Sequence, residues 1–142
     1  MNIVLVTGGF DPVHSGHIGY FNEARKLGDM LMVGLNSDAW LTRKKGKPFM
    51  DVMERWAVIS NLKPVALCFD FDDSDNTAKN AIKRVRELYP SAKIIFANGG
   101  DRTKENIPEM DCGDNNIEFV FGVGGSNKKN SSSWILEKWN EK

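Results

Sequence analysis

His14 and His17 are the only two histidines in the chain. They stand three apart, a spacing that puts both on one side of a first helical turn. They sit in the loop Thr7-Gly8-Gly9-Phe10-Asp11-Pro12-Val13-His14-Ser15-Gly16-His17, between an apolar run and a helical pattern. Gly8 and Gly9 allow a ligand to approach the backbone closely. Ser15-Gly16 opens the helix, where free N–H groups and the positive dipole end favour an anion. Imidazoles beside such a site donate hydrogen bonds to phosphate and stabilise developing charge. The chemistry indicated is binding and reaction at phosphate. The ordinary alternative is a glycine turn followed by two surface histidines. The loop is neither a G-x-G-x-x-G fingerprint nor a Walker loop, since the glycine spacing and the lysine are missing. A catalytic zinc needs three protein ligands and no third stands near the pair, so the expected metal ligands are none.

Two further segments have phosphate character. Arg43-Lys44-Lys45-Gly46-Lys47-Pro48 is a basic loop, and lysine serves phosphate as a mobile point charge. Its plain alternative is a solvated loop. The run Gly122 to Ser133 ends in Ser131-Ser132-Ser133 at a helix start, which offers hydroxyls and N–H groups to an anion, or simply N-caps the helix.

The elements that must position these residues alternate. Ile3–Val6, Leu31–Leu35, Val65–Phe69, Ile94–Ala97 and Ile117–Phe121 read as buried strands. Helical spacing marks His17–Leu27 with Gly28 as a C-cap, then Val52/Trp56/Ile59. It continues in Ala78/Ala81/Ile82/Val85/Leu88 before Pro90, and in Ser133–Trp139. Thr103–Asn116 lacks periodicity and reads as a surface loop. Strands alternating with helices predict an α/β fold: a single Rossmann-like doubly wound domain over residues 1–142, with a parallel five-stranded sheet. Ligands in such sheets bind outside the carboxyl ends of the strands, which is where the histidine loop lies.

The chain has 142 residues, with 19 basic and 19 acidic side chains and a formal net charge of +0. That balance argues against a nucleic-acid or anionic-membrane partner. Two distant cysteines, Cys68 and Cys112, make neither a disulfide framework nor a zinc signature, and fit a reducing compartment. The N-terminus reads as a strand, with no signal peptide, and no stretch is long enough to span a membrane. A soluble, cytoplasmic protein is expected.

Gly9-Phe10-Asp11-Pro12-Val13-His14-Ser15-Gly16-His17 resembles the G-x-F-D-x-x-H-x-G-H signature (the HxGH motif) of the cytidylyltransferase-like nucleotidyltransferases. The resemblance continues through Ala24–Asp29, Asn36-Ser37-Asp38, Glu54-Arg55, Gly99-Gly100-Asp101 and Asn130–Ser133, over nearly the whole chain. It is nearest to the glycerol-3-phosphate cytidylyltransferases and the heptose-1-phosphate adenylyltransferase domain. The resemblance implies that an acceptor phosphate attacks the α-phosphorus of a nucleoside triphosphate and that pyrophosphate leaves. His14, His17 and Lys44 are then the catalytic set. Gly8, Gly9, Phe10, Asp11 and Gly16 line the nucleotide site, Asp11 near metal and phosphates. Gly99, Asp101 and Arg102 lie toward base and ribose, and Ser131, Ser132 and Ser133 toward phosphate. The signature's second lysine is replaced by Gly46, with Lys45 or Lys47 as substitutes. The arginine upstream of the serine triplet is absent, with Lys128 or Lys129 in its stead. Lys44, Arg55 and Lys79 are the acceptor-side candidates; an exposed helix lysine and a salt-bridging arginine are the plain readings of the last two. Mg2+ carried by the triphosphate is the implied cofactor. The implied partners are a nucleoside triphosphate and a small phosphorylated acceptor, and the implied assembly is a homodimer, with Leu62–Leu67 as a candidate interface.

Chain length, Lys44 and Arg55 lean the reading toward CMP transfer from CTP to a phosphorylated polyol. ATP with a sugar 1-phosphate is the alternative, favoured by the double glycine before Asp101 and by Asp75-Asn76-Thr77. A non-catalytic nucleotide-binding module is a third possibility, and a flavodoxin-like redox domain has no use for the two histidines.

Overall fold

The computed structural model describes residues 1–100, 107–124 and 132–140. Five strands and five helices follow one another: β1 (Asn2–Gly8), α1 (Ser15–Arg25), β2 (Met30–Leu35), α2 (Asp38–Lys45), α3 (Val52–Ser60), β3 (Val65–Asp70), α4 (Lys79–Leu88), β4 (Lys93–Gly99), β5 (Ile117–Val123) and α5 (Ser132–Asn140). All strand pairs are parallel, in the order β3-β2-β1-β4-β5. The five-stranded Rossmann-like α/β architecture is as expected.

β1 is central because its residues are apolar on both faces. Ile3, Val4, Leu5 and Val6 are all 0% exposed, each contributing about 1.5–3 kcal/mol of burial. Val4 and Val6 face Phe21 and Ala24 of α1 and Ile59 of α3. Ile3 and Leu5 face Ala81, Ile82 and Val85 of α4. The chain winds from β1 to β3 on one side and from β4 to β5 on the other. The winding reverses between β1 and β4, where ligands of doubly wound sheets bind. The carboxyl ends there are Gly8 and Gly99.

The first half of the basic segment is helical and only Gly46-Lys47-Pro48 is loop. Asp38–Lys45 forms α2, capped by Ser37 Oγ, which accepts from Trp40 N–H at 3.0 Å, and ended by Gly46 at φ 95°. Gly28 is not a C-cap: Lys26 fills that place in right-handed conformation. A Cβ on Gly28 would stand 2.8 Å from the Asn2 carbonyl oxygen, so close passage beneath β1 is what requires glycine there. Within the stretch read as loop, Pro108–Asp111 forms a 3-10 turn whose buried Glu109 accepts the Ala78 N–H at the start of α4. α4 has no side-chain cap of its own. Cys68 is buried and Cys112 half-buried, both free thiols. Among the described residues no helix is long and apolar enough to cross a membrane.

Candidate active site

His14 is the N-cap of α1 and His17 its third residue. The Gly16 N–H donates to His14 Nδ1 at 3.0 Å, and the His14 N–H donates to His17 Nδ1 at 3.3 Å. The two imidazoles therefore form a reciprocal capping box, a role usually filled by Ser or Thr and Glu. Their rings stack at 3.8 Å. Because both Nδ1 atoms accept from backbone, both neutral rings carry their proton on Nε2 (an assignment from the hydrogen-bond network). Two Nε2–H donors result. Burial lowers the pKa of His14. Burial and the neighbouring His14 lower that of His17 to about 3. Both shifts favour the neutral imidazoles.

Phe10 supports this pair from below. It is 6% exposed, meets His17 edge-on at 5.0 Å and Phe21 at 5.1 Å, and holds φ 52°. A Cβ on Gly8 would stand 2.9 Å from its ring, so Gly8 makes room for Phe10. Gly9 likewise faces Leu41 at 2.9 Å and Trp40 at 3.4 Å. Gly8 thus makes room for a side chain of its own loop and Gly9 for two side chains of α2.

Asp11 and Arg55 are turned inward. The Asp11 side chain is fully buried and pairs with Lys45 Nζ at 2.8 Å. Its carboxylate also accepts the Phe49 N–H at 2.7 Å and the Met50 N–H. It clasps the β1–α1 loop to the α2–α3 loop, and Lys45 is committed to it rather than free for a phosphate. Arg55 is 0% exposed and donates to the carbonyls of Met50, Gly9 and Asn36 and to Asp38 Oδ1, at 2.8–3.0 Å. It is a buried bolt beneath the loop, neither an acceptor contact nor a surface salt bridge.

Lys44 projects from the last turn of α2, its Nζ 4.8 Å from the centre of the Trp40 ring. Since Trp40 packs at Gly9, Lys44 is joined to the rim of the histidine loop. Lys47 is exposed beyond the helix end. Lys79 begins α4, where its N–H donates to Thr77 Oγ1 at 3.3 Å; its described contacts belong to the Asp75–Thr77 turn rather than to the histidine loop. Gly99 closes β4, where a Cβ would stand 3.1 Å from the Tyr20 ring. Asp101, Arg102, Lys128, Lys129 and Ser131 lie outside the described residues, as do the side chains of Ser132 and Ser133.

The sequence reading missed Asp73. Its 3%-exposed carboxylate accepts from Asn36 Nδ2 at 2.9 Å, Ser37 N–H at 2.8 Å and Ser37 Oγ–H at 2.6 Å. Nothing in the run Asp70 to Asp75 distinguishes it from its neighbours. It also missed Tyr20, whose hydroxyl donates to the Ala97 carbonyl at 2.6 Å.

Comparison with known proteins identifies the family. The cytidylyltransferase-like family model matches residues 5–118. The bifunctional protein HldE of Hahella chejuensis is 37% identical over 125 residues, covering 87% of this chain and 23% of that protein. HldE of Pelobacter propionicus is 32% identical, covering 96% and 28%. This chain thus spans about a quarter of the length of these curated relatives. The crystal structure of the lipopolysaccharide core biosynthesis protein from Thermoplasma volcanium aligns with TM-score 0.67 and 30% identity over 92% of this chain and 99% of that one. The chain belongs to the cytidylyltransferase-like family of nucleotidyltransferases.

Proposed function

We propose that this nucleotidyltransferase moves an adenylyl group from ATP to a sugar 1-phosphate, with release of pyrophosphate. The observation that carries the reaction class is the histidine pair, with both Nδ1 atoms held by backbone N–H groups and both Nε2–H donors left for phosphate oxygens. An oxygen of the acceptor phosphate forms a bond to the α-phosphorus, and the bond from that phosphorus to the bridging oxygen of pyrophosphate breaks. Such a step needs positioning and stabilisation of charge on the transferring and leaving groups. In this reading His14 and His17 donate to those oxygens, Lys44 adds a mobile positive charge, and the Gly8–Gly9 backbone seats the nucleotide.

ATP is favoured over CTP by the similarity to HldE proteins over 87–96% of the chain, together with the resemblance to heptose-1-phosphate adenylyltransferase domains. The lipopolysaccharide relative points to a sugar acceptor. The CTP reading leans on chain length, Lys44 and Arg55, and Arg55 does not discriminate, since its donors are given to backbone carbonyls and Asp38. Mg2+ is proposed to arrive on the triphosphate, held by phosphate oxygens and water. Among the described residues no group of three potential ligands is gathered, and the Asp11 carboxylate is engaged elsewhere. When bound, the ion offsets charge on the leaving pyrophosphate.

The test is pyrophosphate release with each of ATP, CTP, GTP and UTP against heptose 1-phosphate, other sugar 1-phosphates and glycerol 3-phosphate. Release confined to ATP and a sugar 1-phosphate is expected. Release with CTP and glycerol 3-phosphate would replace this reading by the cytidylyl one. The homodimer belongs to the same proposal: Leu67 is 41% exposed on β3, an edge strand of the sheet. Sedimentation should give a dimer that Leu67→Asp converts to a monomer.

A further inference from the structure

We propose that Asp73, on the loop after β3, is a positioning residue for nucleotidyl transfer, acting through Asn36 and Ser37 on the glycine loop and on α2. The inference rests on the proposed function above for its reaction and on the geometry alone for its mechanism.

Asp73 has an unusual neighbourhood for a loop aspartate. It is 3% exposed, and its carboxylate receives three donors from two consecutive residues of another loop. Each of these residues passes the constraint onward. The Asn36 N–H donates to the Gly8 carbonyl at 2.9 Å, and the Asn36 carbonyl accepts from Arg55 Nη1 at 2.8 Å. The same Nη1 donates to the Gly9 carbonyl at 2.8 Å. Holding the Asn36 side chain therefore fixes the backbone that bonds Gly8 directly and reaches Gly9 through Arg55. Ser37 works on the other branch. Its hydroxyl donates to Asp73 Oδ1, which directs an oxygen lone pair at the Trp40 N–H, 3.0 Å away. That bond caps α2, the helix that lays Trp40 and Leu41 against Gly9 and holds Lys44 over Trp40. Arg43 of α2 closes the circuit by donating to the Asp73 carbonyl at 3.0 Å. One carboxylate thus sets the register between the two sides of the phosphate seat, the glycine backbone and the lysine helix. A misplacement of about 1 Å at a reacting centre costs about a hundredfold in rate.

The variant Asp73→Asn keeps one acceptor oxygen and turns an NH2 group toward donors. Expected is a fall in kcat of about 10–100-fold, with KM for the triphosphate changed less than threefold. The amide protons of Asn36 and Trp40 should exchange faster with solvent while those of β1 do not. Asn36→Asp placed on Asp73→Asn reverses the donor and acceptor of that bond, leaves the Ser37 N–H without its acceptor, and should recover only part of kcat. Ser37→Ala perturbs the α2 branch alone, so it serves if Asp73→Asn fails to fold; it should lower kcat and speed exchange at Trp40 but not at Asn36. A kcat within threefold of wild type, or a fall in kcat and melting temperature with a rise in KM and no rescue, overturns the proposal. If the wild type transfers no nucleotide to any acceptor, the functional reading fails. Amide exchange at Asn36 and Trp40 in Asp73→Asn still decides whether Asp73 positions the loop: unchanged exchange overturns it.

Discussion

The carboxyl edge of the sheet is held in two different ways. On the β1–β2–β3 side, three buried charged residues join separate loops. Arg55 holds the carbonyls of Gly9, Asn36 and Met50. Asp11 holds the amides of Phe49 and Met50, and Asp73 holds Asn36 and Ser37. On the β4–β5 side, among the described residues, one buried carboxylate, Glu109, accepts the Ala78 N–H, and the rest of the fastening is mostly shape. The Tyr20 ring packs at Gly99 and Gly124, with one strong hydrogen bond to Ala97, while buried Asn98 donates only at 3.3–3.4 Å. A side held by buried charge cannot lose one member without orphaning several others. A side held by packing yields in proportion to the volume changed. The side fastened by buried charge carries the histidine pair.

The contrast predicts unequal losses. The largest belongs to Arg55→Ala, which leaves three carbonyls and Asp38 without their donor. A loss of about 3–5 kcal/mol is expected by denaturant titration, enough to approach global unfolding. Lysine at the same place keeps the charge without the planar fork and should recover little of it.

Next comes the histidine pair, where stability and turnover separate. His17→Ala should reduce kcat about 10²–10³-fold while ATP affinity by calorimetry stays within a few-fold. Its cap costs only about 1 kcal/mol. The pair also predicts a pH dependence with a definite sign. The unfolded His17 takes a proton near its ordinary 6.5 and the folded one only near about 3. Between these values the unfolded chain binds more protons, so this contribution to stability is present above 6.5 and is lost as pH falls through that window. Denaturant midpoints at pH 7 and pH 5 should differ more for wild type than for His17→Ala. An equal difference in both would break the assignment of neutral, backbone-bound imidazoles.

Asp11→Asn should cost about 2–3 kcal/mol, because Lys45 and one backbone amide lose their acceptor in a buried setting. The smallest effect is expected on the other side. Tyr20→Phe removes one hydroxyl and should cost about 1 kcal/mol in melting or denaturant experiments. A Tyr20→Phe loss as large as that of Asp11→Asn would erase the distinction between the two sides.

The order of elements, the parallel sheet and the histidine loop were legible because they rest on local signals. These are apolar runs bounded by glycine, helical spacing, and two histidines in an anion-binding turn. What escaped rests on contacts distant in sequence. Asp73 lies 36 residues from Ser37, and Arg55 lies 46 from Gly9. A buried bolt and a surface arginine look identical in a helical pattern. Helix α2 was hidden because Arg43-Lys44-Lys45 has no apolar stripe; Leu41 is its only buried residue. The capping box was hidden because histidine is not an ordinary cap, so two residues read only for chemistry turned out to build the helix that presents them.

That last feature has a genetic consequence. Each ring of the pair helps set the geometry of the other: His14 Nδ1 takes the Gly16 amide, and His17 Nδ1 takes the His14 amide. Losing one histidine loosens the turn on which the second depends, so a second loss removes little that the first had not already taken. Single substitutions at the two positions should overlap strongly in a double-mutant cycle rather than add. A lineage that loses one of these residues therefore loses most of the constraint that keeps the other.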